Sequence, residues 1–265
     1  MTQLRPVITI TTDFGTRDGF VAQMKGVILR INPDARIVDV THDIAPYSIM
    51  EAALVLKGIH RHFPDGTIHL AVVDPGVGGA RRAIVARSRR RLYVGPDNGL
   101  FSLVLTPQQP WEVRQIENPE FIAPRPHPTF HGRDIFAPVA AHLSLGAPFE
   151  AVGWAVADPV FLSVPEVRRT GNELHGEVIH IDRFGNLTTN IESAMIDRRF
   201  ESVEMRGLAI RGLSRSFSQV LQGQALALIN SFGYLEIAVN RGNAAQSLGV
   251  SKGEKVTVCL SPARP

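Results

Sequence analysis

Carboxylates close several apolar runs of this sequence, and a glycine turn follows most of them. Leu70 to Arg82 reads Leu-Ala-Val-Val-Asp-Pro-Gly-Val-Gly-Gly-Ala-Arg-Arg, so Asp74 ends a strand-like run and Arg81 or Arg82 can fold back onto it. In α/β proteins ligands sit beyond the carboxyl ends of strands, where such a turn lets backbone and ligand approach closely. A β-turn whose aspartate accepts backbone hydrogen bonds has the same signature. Asp13, before Phe14-Gly15, can hold both hydroxyls of a ribose or cap a turn. No Gly-x-Gly-x-x-Gly or P-loop pattern follows it, so a nucleoside bound here is not held through phosphates. His131, in Thr129-Phe130-His131-Gly132-Arg133-Asp134, suits proton transfer or a structural role. His42, Asp43, Asp74 and His131 could instead ligate a metal, although no His-Glu-x-x-His pattern supports that. Asp182-Arg183-Phe184-Gly185-Asn186 offers a carboxylate, an aromatic face and an amide, or simply a tight turn with Gly185 at positive φ. Asn230-Ser231-Phe232-Gly233-Tyr234 has the same grammar.

The elements that must position these groups follow from hydrophobic period. Val7 to Thr12 is β-branched and uncharged, as in a strand buried on both faces. Phe20 to Ile31 has helical spacing and stops at Asn32-Pro33. Ala35 to Val40 reads as a second strand. Ser48 to Phe63 reads as a second helix, capped by Ser48 with Glu51 three residues on. Thr67 to Val73 is the third strand. Successive strand, turn and helix units argue for parallel crossovers, which open the turns at Asp13, Asp43 and Asp74 on one sheet edge. Leu92 to Gly95 is a further strand and Asp134 to Leu145 a further helix. Pro159, Pro165 and Arg168 to Asn172 read as a linker. Beyond it, short alternating runs, including Ala225 to Ile229, Tyr234 to Val239 and Lys255 to Leu260, suggest a small barrel or sandwich.

Composition narrows the function classes. With 265 residues, 44% apolar and 20% charged, the chain is an ordinary globular protein with length for a large core. The net charge of +3 and the lack of a broad basic face argue against nucleic acid as a partner. The dense cluster Arg87-Ser88-Arg89-Arg90-Arg91 reads as a solvated hairpin tip. One cysteine, Cys259, excludes a disulfide framework or a multi-cysteine zinc site, and its alternating surroundings suggest a core position. With no signal pattern and no membrane-spanning run, the expected location is the cytoplasm, without a membrane partner.

Seven motifs occur in order: Thr12 to Gly15, Val40 to Asp43, Val73 to Gly78, Gly95 to Gly99, Phe130 to Asp134, Asp182 to Asn186, and Asn230 to Asn240. Through them the chain resembles, over nearly its whole length, the adenosine-forming S-adenosyl-L-methionine hydrolases, or SAM hydroxide adenosyltransferases, relatives of fluorinase and chlorinase. The resemblance implies an α/β fold: an N-terminal α/β domain with a mainly parallel sheet, residues 1–160, and a smaller C-terminal β-barrel domain, residues 170–265. It implies hydrolysis of S-adenosyl-L-methionine to adenosine and L-methionine by attack of activated water at ribose C5′, with no cofactor or metal. It also implies a homotrimer whose active sites lie between the N-terminal domain of one subunit and the C-terminal domain of the next. By resemblance, Asp13 would hold the ribose diol, with Tyr47 nearby, and Phe184 and Asn186 would face adenine. Asp182 and Ser231 would bind the amino and carboxylate groups of the methionine moiety. Asp74, Arg81 and His131 fall where the family handles water. Halide-transferring relatives carry a tyrosine where Asp74 stands, a threonine at Val77 and a serine at Gly132, and fluorinase has an insertion that the short Thr106 to Trp111 connection leaves little room for. Hydrolysis is therefore the expectation. A metal-dependent hydrolase built on His42, Asp43 and Asp74, and a non-catalytic nucleoside-binding protein, are the alternatives.

Overall fold

The β-branched run at the start of the chain forms β1 (Val7–Thr12), whose residues from Ile8 onward are all buried. The computed structural model describes residues 6–106, 110–196 and 200–261. The chain divides into two units, Met1–Leu162 and Ser163–Pro265.

In the first unit, β1 leads to α1 (Phe20–Ile31), β2 (Arg36–Thr41), α2 (Ile49–Ile59) and β3 (Ile68–Val72). The hairpin of β4 (Ala83–Ser88) and β5 (Arg91–Pro96) follows, then β6 (Trp111–Gln115) and α3 (Ala137–Ser144). The six strands lie in the order β2-β1-β3-β5-β4-β6. β2, β1, β3 and β5 are mutually parallel, while β4 runs antiparallel to both of its neighbours, β5 and β6, so the sheet is mixed. Alternation along β3 shows why both faces are apolar. Ile68, Leu70 and Val72 pack with Met24, Ile28 and Phe136 in one layer, and Ala71 joins Leu56, Tyr93 and Phe101 in the other. α1 ends where Asn32 turns its side chain out of the helix and donates to Ser144 Oγ at 2.8 Å.

The second unit contains β7 (Arg168–Thr170), β8 (Glu173–Ile181), β9 (Leu187–Glu192), the single turn α4 (Ser193–Ile196), β10 (Phe200–Met205) and β11 (Leu208–Arg211). It finishes with β12 (Ala225–Ile229), β13 (Tyr234–Val239), α5 (Ala244–Leu248) and β14 (Lys255–Leu260). The strands run in the order β11-β10-β14-β8-β9-β13-β12, with β7 also paired to β8. The Ser214 N–H donates to Ala227 O at 2.8 Å, drawing the chain after β11 against β12 and nearly closing a barrel. Leu174, Val178, Leu187, Leu235, Ile237 and Val258 are among the residues that fill it. Gly176 in β8 is required there, because a Cβ would lie 2.4 Å from Asn190 Oδ1 and 2.7 Å from Ile191 Cγ1.

Several expectations need correction. Ser48 makes no side-chain cap on α2, and Glu51 instead accepts from the Ala45 N–H at 3.4 Å, because Tyr47 enters the helix at a φ of 67°. The chain after Ile59 continues as a 3-10 turn, His60–His62. Asp134 begins no α-helix, since Gly132–Phe136 is a π turn leading into α3. The stretch read as a linker contains β7, a strand in register with β8. Only Arg89 and Arg90 form the basic hairpin tip, because Arg87 is paired with Glu112 and Glu150 and lies over the Phe149 ring. Cys259 sits on the half-buried face of β14, opposite the core-facing Val258 and Leu260. Within the Thr106 to Trp111 connection, residues 107–109 lie outside the described residues. Among the described residues no helix is long and apolar enough to cross a membrane.

Candidate active site

Parallel pairing of β1 with β2 and β3 puts the turns after these strands on one edge of the sheet, with Thr12 opposite Val72 and Thr11 opposite Thr41. The Gly15 N–H donates to His42 O at 2.7 Å, tying the first turn to the second. Asp13 Oδ2 accepts the Tyr47 backbone N–H at 2.9 Å. Tyr47 adopts the left-handed conformation, uncommon for an aromatic residue, and the residue is 71% exposed.

Beyond β3, the turn folds Arg81 back onto Asp74. Arg81 Nε donates to Oδ1 and Oδ2 of Asp74 at 3.0 Å each, and Nη2 donates to Oδ2 at 2.5 Å. Both side chains are nearly enclosed, at 4% exposure for Asp74 and 11% for Arg81. Gly78 makes the turn possible: its φ is 74°, and a Cβ would lie 2.4 Å from Pro128 O. The Asn98 amide donates to Val73 O at 2.9 Å and braces the strand end ahead of Asp74. Arg82 turns elsewhere, to Asp97 and Asp158 at 2.7 Å each.

The same Arg81 Nη2 donates to His131 Nδ1 at 2.7 Å, and the guanidinium lies over the Phe136 ring. A guanidinium has donors only, so Nδ1 is the accepting nitrogen and the neutral ring carries its proton on Nε2. Burial and then the charge of Arg81 hold the imidazole below its ordinary pKa, against the opposing pull of Asp74 and Asp134. Asp74, Arg81 and His131 thus form one bonded cluster. Gly132 beside it is crowded, since a Cβ would meet Met24 Sδ and Phe130 Cε2 at 3.2 Å.

His42 and Asp43 do not join that cluster. His42 Nδ1 bonds Thr12 Oγ1 at 2.9 Å and its Nε2 lies 3.1 Å from Asp39 Oδ1, while Asp43 is exposed. Among the described residues no group of three or more His, Cys, Asp or Glu side chains is placed to hold a metal ion.

The second unit holds the other candidate residues. Asp182 Oδ1 accepts the N–H groups of Phe184 and Asn186 at 2.9 and 2.8 Å, and Oδ2 accepts the Asn186 amide at 2.9 Å. Gly185, at a φ of 85°, permits the turn and lets Asn243 pack where a Cβ would stand. The tight turn is formed, and it leaves the Phe184 ring free of it. Phe184 is left 73% exposed, and with Asn186, Phe217, Val239, Arg241 and Gly242 it lines a pocket of about 460 Å³. Phe217, Val239 and Arg241 escaped the sequence reading. The available signal was Asn240-Arg241-Gly242, a polar glycine turn closing the β13 run. Ser231 is exposed at the tip of a turn that Asn230 Oδ1 builds by accepting the Phe232 and Tyr234 N–H groups at 3.0 and 3.1 Å.

An α/β unit with a buried Asp–Arg–His cluster at its strand ends, and a barrel unit with an open aromatic pocket, define a two-part small-molecule enzyme architecture. Residues 8–153 match the SAM hydroxide adenosyltransferase N-terminal domain and residues 176–257 the C-terminal domain of the same name, and the chain belongs to that family. Among its relatives, the (R)-S-adenosyl-L-methionine hydrolase of Thermus thermophilus is 41% identical, the alignment covering 96% of this chain and 99% of that one. A fluorinase from Actinoplanes sp. is 30% identical over 96% of this chain and 97% of its own. The crystal structure of an uncharacterized conserved protein from Thermotoga maritima superposes with a TM-score of 0.88 at 38% identity, covering 96% of this chain and 100% of that one.

Proposed function

We propose that this protein hydrolyses S-adenosyl-L-methionine to adenosine and L-methionine, with water attacking ribose C5′. The observation that carries the reading is Arg81 bonded at once to Asp74 and His131, a cluster suited to water in a family whose hydrolase members are more similar to this chain than the fluorinases are. A sulfonium leaves as a neutral thioether and needs no acid. The demand falls on the nucleophile, which must be held in line with the C5′–S bond and made hydroxide-like.

In this reading the Nε2–H of His131 donates to the water oxygen and orients a lone pair toward C5′. Asp74 accepts the departing proton at Oδ1, the oxygen that Arg81 engages less. The O–C5′ bond forms as the C5′–S bond breaks, its electron pair neutralises sulfur, and the proton is later released to solvent. Asp13 holds the ribose hydroxyls with Tyr47 beside them, Phe184 and Asn186 face adenine, and Asp182 and Ser231 take the amino and carboxylate groups. The crowding at Gly132, where halide-transferring relatives carry serine, favours water over halide. The functional oligomer is a homotrimer whose sites each combine the N-terminal domain of one subunit with the C-terminal domain of the next.

The test is incubation with S-adenosyl-L-methionine, with and without a chelator, followed by chromatography. Equal release of adenosine and L-methionine in both conditions is expected. Intact substrate sinks the reading, and activity lost to chelator and restored by metal replaces it with metal-dependent hydrolysis.

A further inference from the structure

Glu236 lies in the middle of β13, yet its residue surface is only 7% exposed and neither sheet pairing nor core packing calls for a carboxylate there. Its neighbours across the sheet are Leu228 on β12 and Thr188 on β9. Glu236 Oε2 accepts from Asn230 Nδ2 at 3.1 Å, and the same Nδ2 approaches Thr188 Oγ1 at 3.3 Å. The other end of that amide, Oδ1, accepts two backbone N–H groups and so shapes the turn bearing Ser231. An amide whose two ends are both engaged cannot flip without breaking bonds on each side. Burial holds the Glu236 carboxyl above its ordinary value against the opposing hydrogen bonds from Asn230 and Thr188, and the charge of Asp182 adds to the rise, which places Glu236 in the electrostatic field of the other turn assigned to the methionine moiety.

We propose that Glu236 is a positioning residue for the amino-acid half of the substrate, acting through Asn230 on the turn that presents Ser231. The proposal rests on the assignment of Ser231 to the methionyl end made above. Glu236 touches no substrate atom; it supplies the acceptor that fixes the orientation of Asn230. Loss of that acceptor frees the amide and loosens the turn, whereas the adenine pocket, built by Phe184, Phe217 and Arg241, keeps its own supports.

The experiment compares Glu236→Ala with Glu236→Gln, which retains an oxygen acceptor of the same reach. The alanine variant is expected to raise the KM for S-adenosyl-L-methionine about 10-fold or more, the scale of a lost buried hydrogen bond, while kcat falls less than KM rises. The glutamine variant is expected to recover most of that loss. Adenosine affinity, measured by calorimetry, should stay within about 2-fold in both, which a general loss of folding would not allow. An unchanged KM in Glu236→Ala, a glutamine variant no better than alanine, or an equal loss of adenosine binding overturns the proposal. Wild-type protein that leaves the substrate intact overturns the functional reading instead. Glu236 is then read by titrating L-methionine onto the adenosine-loaded protein, where the same loss and recovery are expected, and wild-type protein that fails to bind L-methionine rejects the positioning role.

Discussion

Arg81 is the residue that holds the cluster together, because its one side chain fixes both partners. Asp74 is held by three donor contacts and His131 is held in a single tautomer. Replacement of either partner should be severe: Asp74→Asn and His131→Ala are each expected to lower kcat about 100-fold or more in a steady-state assay. The tautomer makes a finer demand. Glutamine carries its amide nitrogen near the Nε2 position and asparagine near Nδ1, so His131→Gln should retain measurably more activity than His131→Asn. The pH profile follows the same logic. Since burial and Arg81 depress the His131 pKa, the neutral ring persists below pH 6.5, and the acid limb of kcat/KM should have its midpoint under that value. A midpoint above 6.5 would count against a neutral donor. Asp74 was legible as a candidate from its local turn, since the carboxylate and Arg81 are seven residues apart. His131 was a candidate from its own turn, but its bond to Arg81 was not legible, because the two lie 50 residues apart and only the fold closes that gap. The cap expected at Ser48 failed for the converse reason, since Asp13 draws the Tyr47 N–H toward itself and changes how the chain enters the helix.

Among the elements, β1, α1, β12, β13 and β14 have the boundaries their hydrophobic patterns suggest, because each buries a continuous face or both faces. β7 was invisible: its residues Arg168, Arg169 and Thr170 are all exposed and it exists through pairing with β8 alone. The π turn at Gly132–Phe136 carries no sequence signature either, since it satisfies the same side-chain spacing as the start of a helix. Strand β3 also contains a polar position that packing has absorbed. His69 is fully buried, bonds Thr9 Oγ1 at 2.8 Å and stacks on Tyr93, whose hydroxyl meets His60 Nδ1 at 2.8 Å. Burial pushes His69 down to about 3 and His60 to about 4. Unfolding restores values near 6.5, so the unfolded chain binds more protons at every pH between these limits. Stability should therefore be fully present above pH 6.5 and fall as pH drops toward 4, by at most about 1.4 kcal/mol per pH unit for each histidine. Urea unfolding midpoints against pH would show this limb, and His69→Leu should flatten it.

At the scale of the whole molecule, the Asp74–Arg81–His131 cluster belongs to the first unit and the Phe184 pocket and the turns at Asp182 and Ser231 to the second. If each site joins units from two subunits of a homotrimer, defects in different units must complement. Asp74→Asn and Asp182→Asn, co-expressed and purified as mixed oligomers, should recover activity toward about a quarter of wild type, the share of interfaces that pair two intact halves at random. No recovery would indicate that each chain builds its own site. The two-unit layout was readable from the change in strand texture near Pro159, but contacts across a subunit boundary leave no period in a sequence. Finally, Tyr47 keeps an aromatic side chain at a φ of 67°, a conformation disfavoured by roughly 1–2 kcal/mol for an L-residue. Asparagine tolerates that conformation better, so Tyr47→Asn is expected to raise Tm while lowering kcat/KM, both measured on the same preparation. A lineage adapting to heat would meet this position early, and the substitution that hardens the protein is the one that dulls it.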